Sequence, residues 1–328
     1  MPPSFQDLAD QTLSTIPVVG IALALVAAVL LAIGTQFQHR GVTLVEARSG
    51  AEAKTGLSLR QLRSLLASGS WVIGTVLLGV AVVLQLTSLG FAPLIVVQPL
   101  GAVALVITAI VNARVSKIPL DAISIRAIVV CVVGVGAFVA IASFVARSRP
   151  ITLTQLVTVL VILGVVLAIL LTLFIVMRSR KPRPIFYVVA AGVLFGFVVT
   201  LAKVVIDRVK TIIEGGFAID AADILTAVCI IGLAAAALLG TYFVQTAHSS
   251  NPPDLVVAGL TVIDPLVAVS IGIIVLGEAA GAPLWAIIAF ALAAAAAIWG
   301  VISLSRHHPQ ALGNTPLADA AEGSLTQP

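Results

Sequence analysis

An aspartate and a proline stand side by side in an apolar segment, in TVIDPLVAVS at residues 261–270. A charged side chain at the centre of a bilayer costs at least about 2.5–3.5 kcal/mol, so we expect Asp264 to face the interior of a helix bundle. Pro265 has no backbone N–H and frees the carbonyl four residues before it, which is a cation ligand in many transporters. The pair predicts a proton or metal-cation site at Asp264; a protonated aspartate that only hydrogen-bonds another helix is the alternative.

A related pair occurs earlier, at Gln98 and Pro99. Residues 92–103, APLIVVQPLGAV, align with residues 258–269, AGLTVIDPLVAV, with seven of twelve positions identical. A glutamine amide either coordinates a cation without charge or joins two helices by a hydrogen bond. We expect Gln98 to complete the site of Asp264, with both prolines breaking their helices.

Four more polar residues are candidates. Gln85 and Gln245 lie inside apolar segments and are candidates for substrate binding, with hydrogen bonds between helices as the alternative. Lys203 is a secondary candidate, and its alternative is a snorkelling lysine paired with Asp207 four residues later. Glu278, at the end of an apolar segment, is either a cation attractor or an ordinary interfacial acid.

Motifs for catalysis are missing from the sequence. It contains no phosphate-binding loop and none of the common hydrolase or zinc-site signatures. We therefore expect a protein that is not an enzyme, has no cofactor and does not itself hydrolyse ATP.

The composition indicates lipid as the main solvent. Hydrophobic residues make up 60% of the 328 residues and charged residues 10%, against about 25% charged in soluble domains. Mean hydropathy is +1.19 and the pI is near 9.4. The basic residues cluster between apolar segments, which is typical of membrane proteins, so nucleic acid is not an expected partner.

Nine segments reach the roughly 20 apolar residues that a helix needs to cross a bilayer. They lie at about 17–38, 70–88, 91–111, 125–146, 153–177, 186–206, 223–246, 255–277 and 283–304. The predicted fold class is therefore all-α integral membrane. An amphipathic surface helix is expected between the first two spans, with a tenth membrane segment at residues 56–69 left open, and residues 305–328 are expected to be a disordered tail.

The repeated motif divides the chain into two halves of four spans. Repeat one covers residues 17–146, a linker helix covers 153–177, and repeat two covers 186–304. Because equivalent helices are five spans apart along the chain, an odd offset, the second half should be inverted relative to the first. Such inverted repeats place substrate sites near the membrane midplane.

Orientation follows from the basic residues. Of the 18 Lys and Arg residues, thirteen lie at or beyond the ends of the spans on one face, four on the other, and Lys203 lies within a span. This bias predicts a multi-pass inner-membrane protein, with the N-terminal residues 1–16 outside and the C-terminus in the cytoplasm.

The segment FAPLIVVQPLGAV resembles the drug/metabolite transporter superfamily, and most closely its NIPA-type magnesium transporters. The family pattern N-F-A-A-Y-A-F-A-P-x-x-L-V-x-P-L-G-A has its Asn where Gln85 stands, and C-x-x-G of the fourth span meets Cys131 and Gly134. The matching residues are Phe91, Ala92, Pro93, Val97, Pro99, Leu100, Gly101 and Ala102. The chain departs from the family at Val82 and Ile118, where the family has glutamates, and at Asp264, where it has serine.

The resemblance implies a secondary transporter that works by alternating access. Its substrate would be a divalent cation such as Mg²⁺ or a small polar or cationic metabolite. The alternatives are a proton-coupled drug or metabolite exporter with no Mg²⁺ role, a lipid flippase and a non-transporting membrane subunit. The expected partners are the lipid bilayer and the substrate, and the oligomeric state is left open, a homodimer included.

Overall fold

A computed structural model describes residues 5–49, 64–116, 121–147, 151–178, 184–214, 221–250 and 253–307. Within these ranges the chain forms nine long helices. They are α1 (Phe5–Ser49), α2 (Gly69–Phe91), α3 (Leu94–Ser116), α4 (Ala122–Val145), α5 (Leu153–Arg178), α6 (Pro184–Glu214), α7 (Ala221–Ser250), α8 (Pro253–Ile274) and α9 (Leu284–His307). Each of the nine is long and apolar enough to cross a membrane, which confirms the predicted all-α membrane fold.

Some helices extend beyond the predicted spans. Helix α1 has 45 residues and begins at Phe5, so most of the predicted N-terminal segment continues the first helix. The predicted surface helix at residues 56–69 falls largely outside the described residues, as does the predicted tail beyond His307.

The two halves of the chain have the same helix neighbours. In the first half, α1 packs against α2 and α3, and α3 packs against α4; in the second, α6 packs against α7 and α8, and α8 packs against α9. Across the halves, α3 meets α8, α4 meets α9, and α2 meets α6, while α5 lies against α6 and α7. The two helices that carry the repeated motif therefore meet where the halves join. Inversion of the second half stays a prediction.

Glycines bring α6 and α8 into close contact. A Cβ added at Gly192 would lie 2.7 Å from the Cβ of Ile263, and one added at Gly196 would lie 2.7 Å from the Cβ of Val267. Small residues allow this approach of two membrane helices, because no side chain separates the backbones. The contact fixes the segment of α8 that contains Asp264 against α6.

Neither proline breaks its helix, which differs from the prediction. Helix α3 continues through Pro99, its sixth residue, and α8 continues through Pro265 in its interior. A proline removes one backbone hydrogen bond, and neighbouring helices support a membrane helix through that loss. Each proline thus removes the hydrogen bond of one carbonyl, and the helix continues past it.

Candidate ion-binding site

Asp264 carries an unsatisfied oxygen inside the membrane-spanning region. Its Oδ1 atom is buried and has no hydrogen-bond partner among the described residues. The α6 backbone comes so close here that a Cβ at Gly196 would lie 3.0 Å from the Asp264 carbonyl oxygen. Buried polar atoms in proteins nearly always have a partner. The carboxyl group of Asp264 is therefore suited to hold a proton or a cation.

A second oxygen atom that can bind a cation lies one helical turn before Asp264. Because Pro265 has no N–H, the Thr261 carbonyl lacks the donor that it would have in a regular helix. The Thr261 hydroxyl donates to the Val257 carbonyl oxygen at 2.8 Å, so the hydroxyl is already used within the helix. The Asp264 carboxyl group and the Thr261 carbonyl thus place two oxygen atoms without regular helix partners on consecutive turns of α8.

The two prolines of the repeated motif meet at one cavity. The cavity has a volume of about 70 Å³ and is walled by α3, α4, α8 and α9. Pro99 and Pro265 both line it, together with Phe138 and other mainly apolar side chains, whereas Gln98 and Asp264 do not. The structure therefore brings the two motif segments together and leaves their polar side chains outside the cavity wall.

The predicted glutamines occupy three different settings. Gln98 on α3 is 6% exposed and is buried within the bundle. Gln85 is half-buried on α2, where its backbone carbonyl oxygen, and not its side chain, accepts a hydrogen bond from the Ser88 hydroxyl at 2.7 Å. Gln245 lies on the exposed face of α7, because Phe243 and Ala247 occupy the face that packs inward. The structure thus does not bring Gln245 to Asp264.

Lys203 is more deeply buried than a snorkelling lysine. It is 2% exposed, and its Nζ donates to the Leu89 carbonyl at 2.7 Å and lies 3.4 Å from the Ala92 carbonyl. The predicted ion pair with Asp207 is present, with Nζ 3.0 Å from Oδ2. Lys203 therefore joins α6 to the end of α2, a role that its spacing from Asp207 did not indicate.

Glu278 is likewise buried, at 4% exposure, and is no ordinary interfacial acid. Its Oε1 accepts the backbone N–H of Leu94 and its Oε2 that of Ile95, both at 2.8 Å. These amides belong to the first turn of α3. Burial raises the pKa of the Glu278 carboxyl, while the two amide hydrogen bonds and the charge of Lys203 act in the opposite direction.

The position of Glu278 depends on the loop between α8 and α9. Gly277 and Gly281 have φ angles of 69° and 96°, a region that favours glycine. The two glycines of GEAAG were the one sign in the sequence that Glu278 lies in a loop of defined backbone conformation. Its partners on α3 could not be read from the sequence, because they lie more than 180 residues away.

The described residues contain no group of three His, Cys, Asp or Glu side chains arranged to hold a metal ion. A Mg²⁺ ion at Asp264 would thus keep several of its waters, as Mg²⁺ commonly does when one or two carboxylates bind it.

The nine described helices define a multi-pass membrane protein, with an unsatisfied carboxyl oxygen inside it. Residues 15–307 match the family model described as Magnesium transporter NIPA, so the chain belongs to that family and is a membrane transporter of the cation-transporting class. An uncharacterized protein of Corynebacterium glutamicum is 26% identical over 294 residues, covering 90% of this chain and 97% of the relative. No solved structure matched the fold.

Proposed function

We propose that the protein is a secondary transporter that carries a divalent cation such as Mg²⁺ by alternating access, with Asp264 as a ligand of the ion. The observation that carries this proposal is the buried Oδ1 of Asp264, which has no partner among the described residues. In a membrane interior, an ionisable residue of this kind marks an ion path by default.

The oxygen ligands would come from both halves of the chain. Asp264 and the Thr261 carbonyl supply two from α8, and Gln98 supplies its amide from the neighbouring α3. A cation so held loses its ligands when α3 and α8 move relative to each other, which is how repeat-based transporters release substrate to alternate sides. With no ATP-binding motif in the sequence, an ion gradient would drive the movement.

Proton-coupled export of a small polar or cationic metabolite is the second candidate. The cavity beside Pro99 and Pro265 favours it, because a largely apolar wall suits an organic substrate better than a hydrated ion. In that case Asp264 would carry the coupling proton. A lipid flippase or a non-transporting subunit would show no ion flux that depends on Asp264.

The distribution of the basic residues supports a location in the inner membrane, with the N-terminus outside the cell and the C-terminus in the cytoplasm. In this orientation the α2–α3 turn, the end of α6 and the α8–α9 loop all face outward.

Proteoliposomes that enclose a Mg²⁺ indicator test the proposal directly. Wild-type protein should admit Mg²⁺, and Asp264→Asn should reduce the initial rate by about tenfold or more, since it removes the charge that binds the ion. Asp121→Asn is the matched control: Asp121 is exposed and caps α4 through the Ser124 N–H, which asparagine also does.

The outcomes separate the alternatives. Mg²⁺ flux that is equal in wild type and Asp264→Asn overturns the role of Asp264. Absence of Mg²⁺ flux in the wild type, with proton flux that an added organic cation stimulates, moves the assignment to metabolite export.

A further inference from the structure

The turn between α2 and α3 leaves backbone groups at two helix ends without partners in their own helices. Helix α2 ends at Phe91 and α3 begins at Leu94, so only Ala92 and Pro93 separate them. The last carbonyls of one helix and the first N–H groups of the next have no partners within their own helices. In a membrane protein these groups need partners from elsewhere in the chain.

Two lysine side chains bind the carbonyl groups at the end of α2. Lys203 binds the Leu89 carbonyl and lies close to that of Ala92, and Lys210 donates to the Gly90 carbonyl. A positive charge is stabilised at a helix C-terminus because the helix dipole is negative there. Asp207 holds the Lys203 ammonium in place through its own carboxylate.

An anion satisfies the amide side. Glu278 accepts both the Leu94 and the Ile95 N–H, at the positive end of the α3 dipole. Each charge therefore matches the helix end that it faces. All of these side chains come from the second half of the chain, whereas the turn that they hold belongs to the first half.

The α8–α9 loop is itself tied to the other half and to the central helix. The Arg147 N–H donates to the Glu278 carbonyl at 2.8 Å, just after α4. The Gln155 side chain on α5 donates to the Leu276 carbonyl at 3.0 Å. The charged groups that face the Glu278 carboxylate are Lys203 and Asp207, both on α6.

We propose that Lys203, Asp207 and Glu278 are positioning residues that close the transport path at the end where α2 meets α3. They hold the first turn of α3, four residues before Gln98, against the second half of the chain. Opening the path at this end requires their hydrogen bonds to the turn to separate. This inference rests on the proposed alternating-access function, but its test needs no substrate.

The burial of Lys203 and Glu278, with Asp207 half-buried beside them, supports a contact that is broken and remade. A permanent contact between two halves is served at least as well by apolar side chains, because charges lose their hydration when buried. Charges that become hydrated again when the path opens recover that loss. The closed and open states can therefore stay close in free energy, as a transport cycle needs.

A reporter cysteine measures opening at this end. Ser88 is fully buried on α2 beside the turn, and Ser88→Cys is a nearly isosteric change. The background also carries Cys131→Ala and Cys229→Ala, so that the introduced cysteine is the sole thiol. A membrane-impermeant thiol reagent is applied to intact cells from the outside, and the labelling rate of this reporter is measured.

Two variants weaken the closed state by different means. Glu278→Gln places an NH₂ group against one of the two α3 amides, which loses its acceptor. Gly272→Ala changes no charge, but its Cβ would lie 2.9 Å from the Glu278 Oε2 and displace the carboxylate. Loss of a hydrogen bond to a charged group shifts such an equilibrium by about tenfold or more, and labelling should rise by that factor in both variants.

Asp121→Asn is again the control and should label at the rate of the reporter background. Equal labelling in the background, Glu278→Gln and Gly272→Ala, with all three eluting as the same monodisperse species, overturns the proposal. Labelling that rises only for reagent supplied from the cytoplasmic side would support the closure and overturn the proposed orientation. Asp264→Asn should leave labelling of the reporter cysteine unchanged, so failure of the ion site and failure of the closure are distinguishable.

Discussion

A carboxylate at the start of a helix is normally stabilised in its charged form, and Glu278 departs from this expectation. It receives two amide hydrogen bonds from α3, and Lys203 lies near it. Burial nevertheless outweighs these interactions and raises the pKa of Glu278 above its ordinary value. A residue held in this way gives the folded state a pH dependence of its own.

The sign of that dependence follows from linkage. Because the pKa of Glu278 is higher in the folded than in the unfolded state, the folded state binds the proton more tightly. The contribution of Glu278 to stability is therefore full below its ordinary pKa of about 4.3 and falls as the pH rises through the raised value. Thermal unfolding in detergent between pH 4 and 8 measures this. Glu278→Gln should flatten the pH profile of the midpoint, and an unchanged profile would contradict the prediction.

A second prediction concerns the stability of variants of Lys203. Lys203→Met removes the ion-pair partner of the half-buried Asp207 carboxylate; such a loss costs about 3–5 kcal/mol in a fully buried pair and less here. The thermal midpoint should fall clearly. The double variant Lys203→Met with Asp207→Leu should recover part of the loss, because no unpaired charge remains. A double variant as unstable as the single one would show that the hydrogen bonds to Leu89 and Ala92 carry the stability.

The residues show which part of the site could be read from the sequence. The interval of four residues predicts the Lys203–Asp207 pair, and the apolar surroundings of Asp264 predict that its carboxyl group is shielded, which holds for the Oδ1 atom. The partners of Lys203 on α2 and of Glu278 on α3 were not predictable, since they come from helices more than 100 residues away. Gln245 was misjudged because apolar segments give no sign of which helix face meets lipid.

Helix α8 shows at the element scale what its proline contributes. The helix continues through Pro265, and what the proline removes is the N–H that would bond the Thr261 carbonyl. Length and hydropathy predict all nine described helices, because the thickness of the bilayer sets their minimum length. Whether a proline breaks such a helix depends on the neighbouring helices, which local sequence does not contain.

Replacing this proline tests the role of the carbonyl. In Pro265→Ala the new N–H can bond the Thr261 carbonyl and withdraw it from ion binding. We expect a thermal midpoint at least as high as that of the wild type, since an interior proline is unfavourable by about 3 kcal/mol relative to alanine. Mg²⁺ flux in proteoliposomes should fall. Full flux would exclude the carbonyl as a ligand, and the exposed change Asp121→Asn serves as the reference.

The contact between α6 and α8 makes another prediction for these elements. Gly196→Ala would place a Cβ 2.7 Å from the Val267 Cβ and 3.0 Å from the Asp264 carbonyl, neither of which is the end of a flexible side chain. The helices must separate, so both the thermal midpoint and the flux should fall. Gly101→Ala on α3 is the matched control, because no atom lies within 4 Å of its added Cβ. Equal changes of midpoint and flux in Gly196→Ala and Gly101→Ala would contradict a close contact between α6 and α8 at Gly196.

At the scale of the whole molecule, equivalent helices make equivalent contacts. Gly20 on α1 lies against Ala92 of the α2–α3 turn, and Gly259 on α8 lies against Val188 on α6. These two contacts occupy nearly corresponding positions in the halves that the repeated motif defines. Together with the shared neighbour pattern, they support two copies of one four-helix unit, joined at α3 and α8.

The cavity at that junction leads to the last prediction, which concerns movement of the halves. Because α3 and α4 form one side of the cavity and α8 and α9 the other, a change in the angle between the halves must alter its volume. Ala294 lines the cavity, and Ala294→Leu would fill much of its roughly 70 Å³. Added packing should raise the thermal midpoint by about 2–4 °C.

Transport in Ala294→Leu should at the same time become slower, because the filled junction favours one arrangement of the halves over the other. Ala295→Leu on the exposed face of the same helix adds the same volume outside the bundle and should change neither property. Thermal midpoints and Mg²⁺ flux, measured on the same preparations, check both effects. A filled cavity that stabilises the protein and leaves the flux unchanged would mean that the halves move without repacking α3 and α4 against α8 and α9.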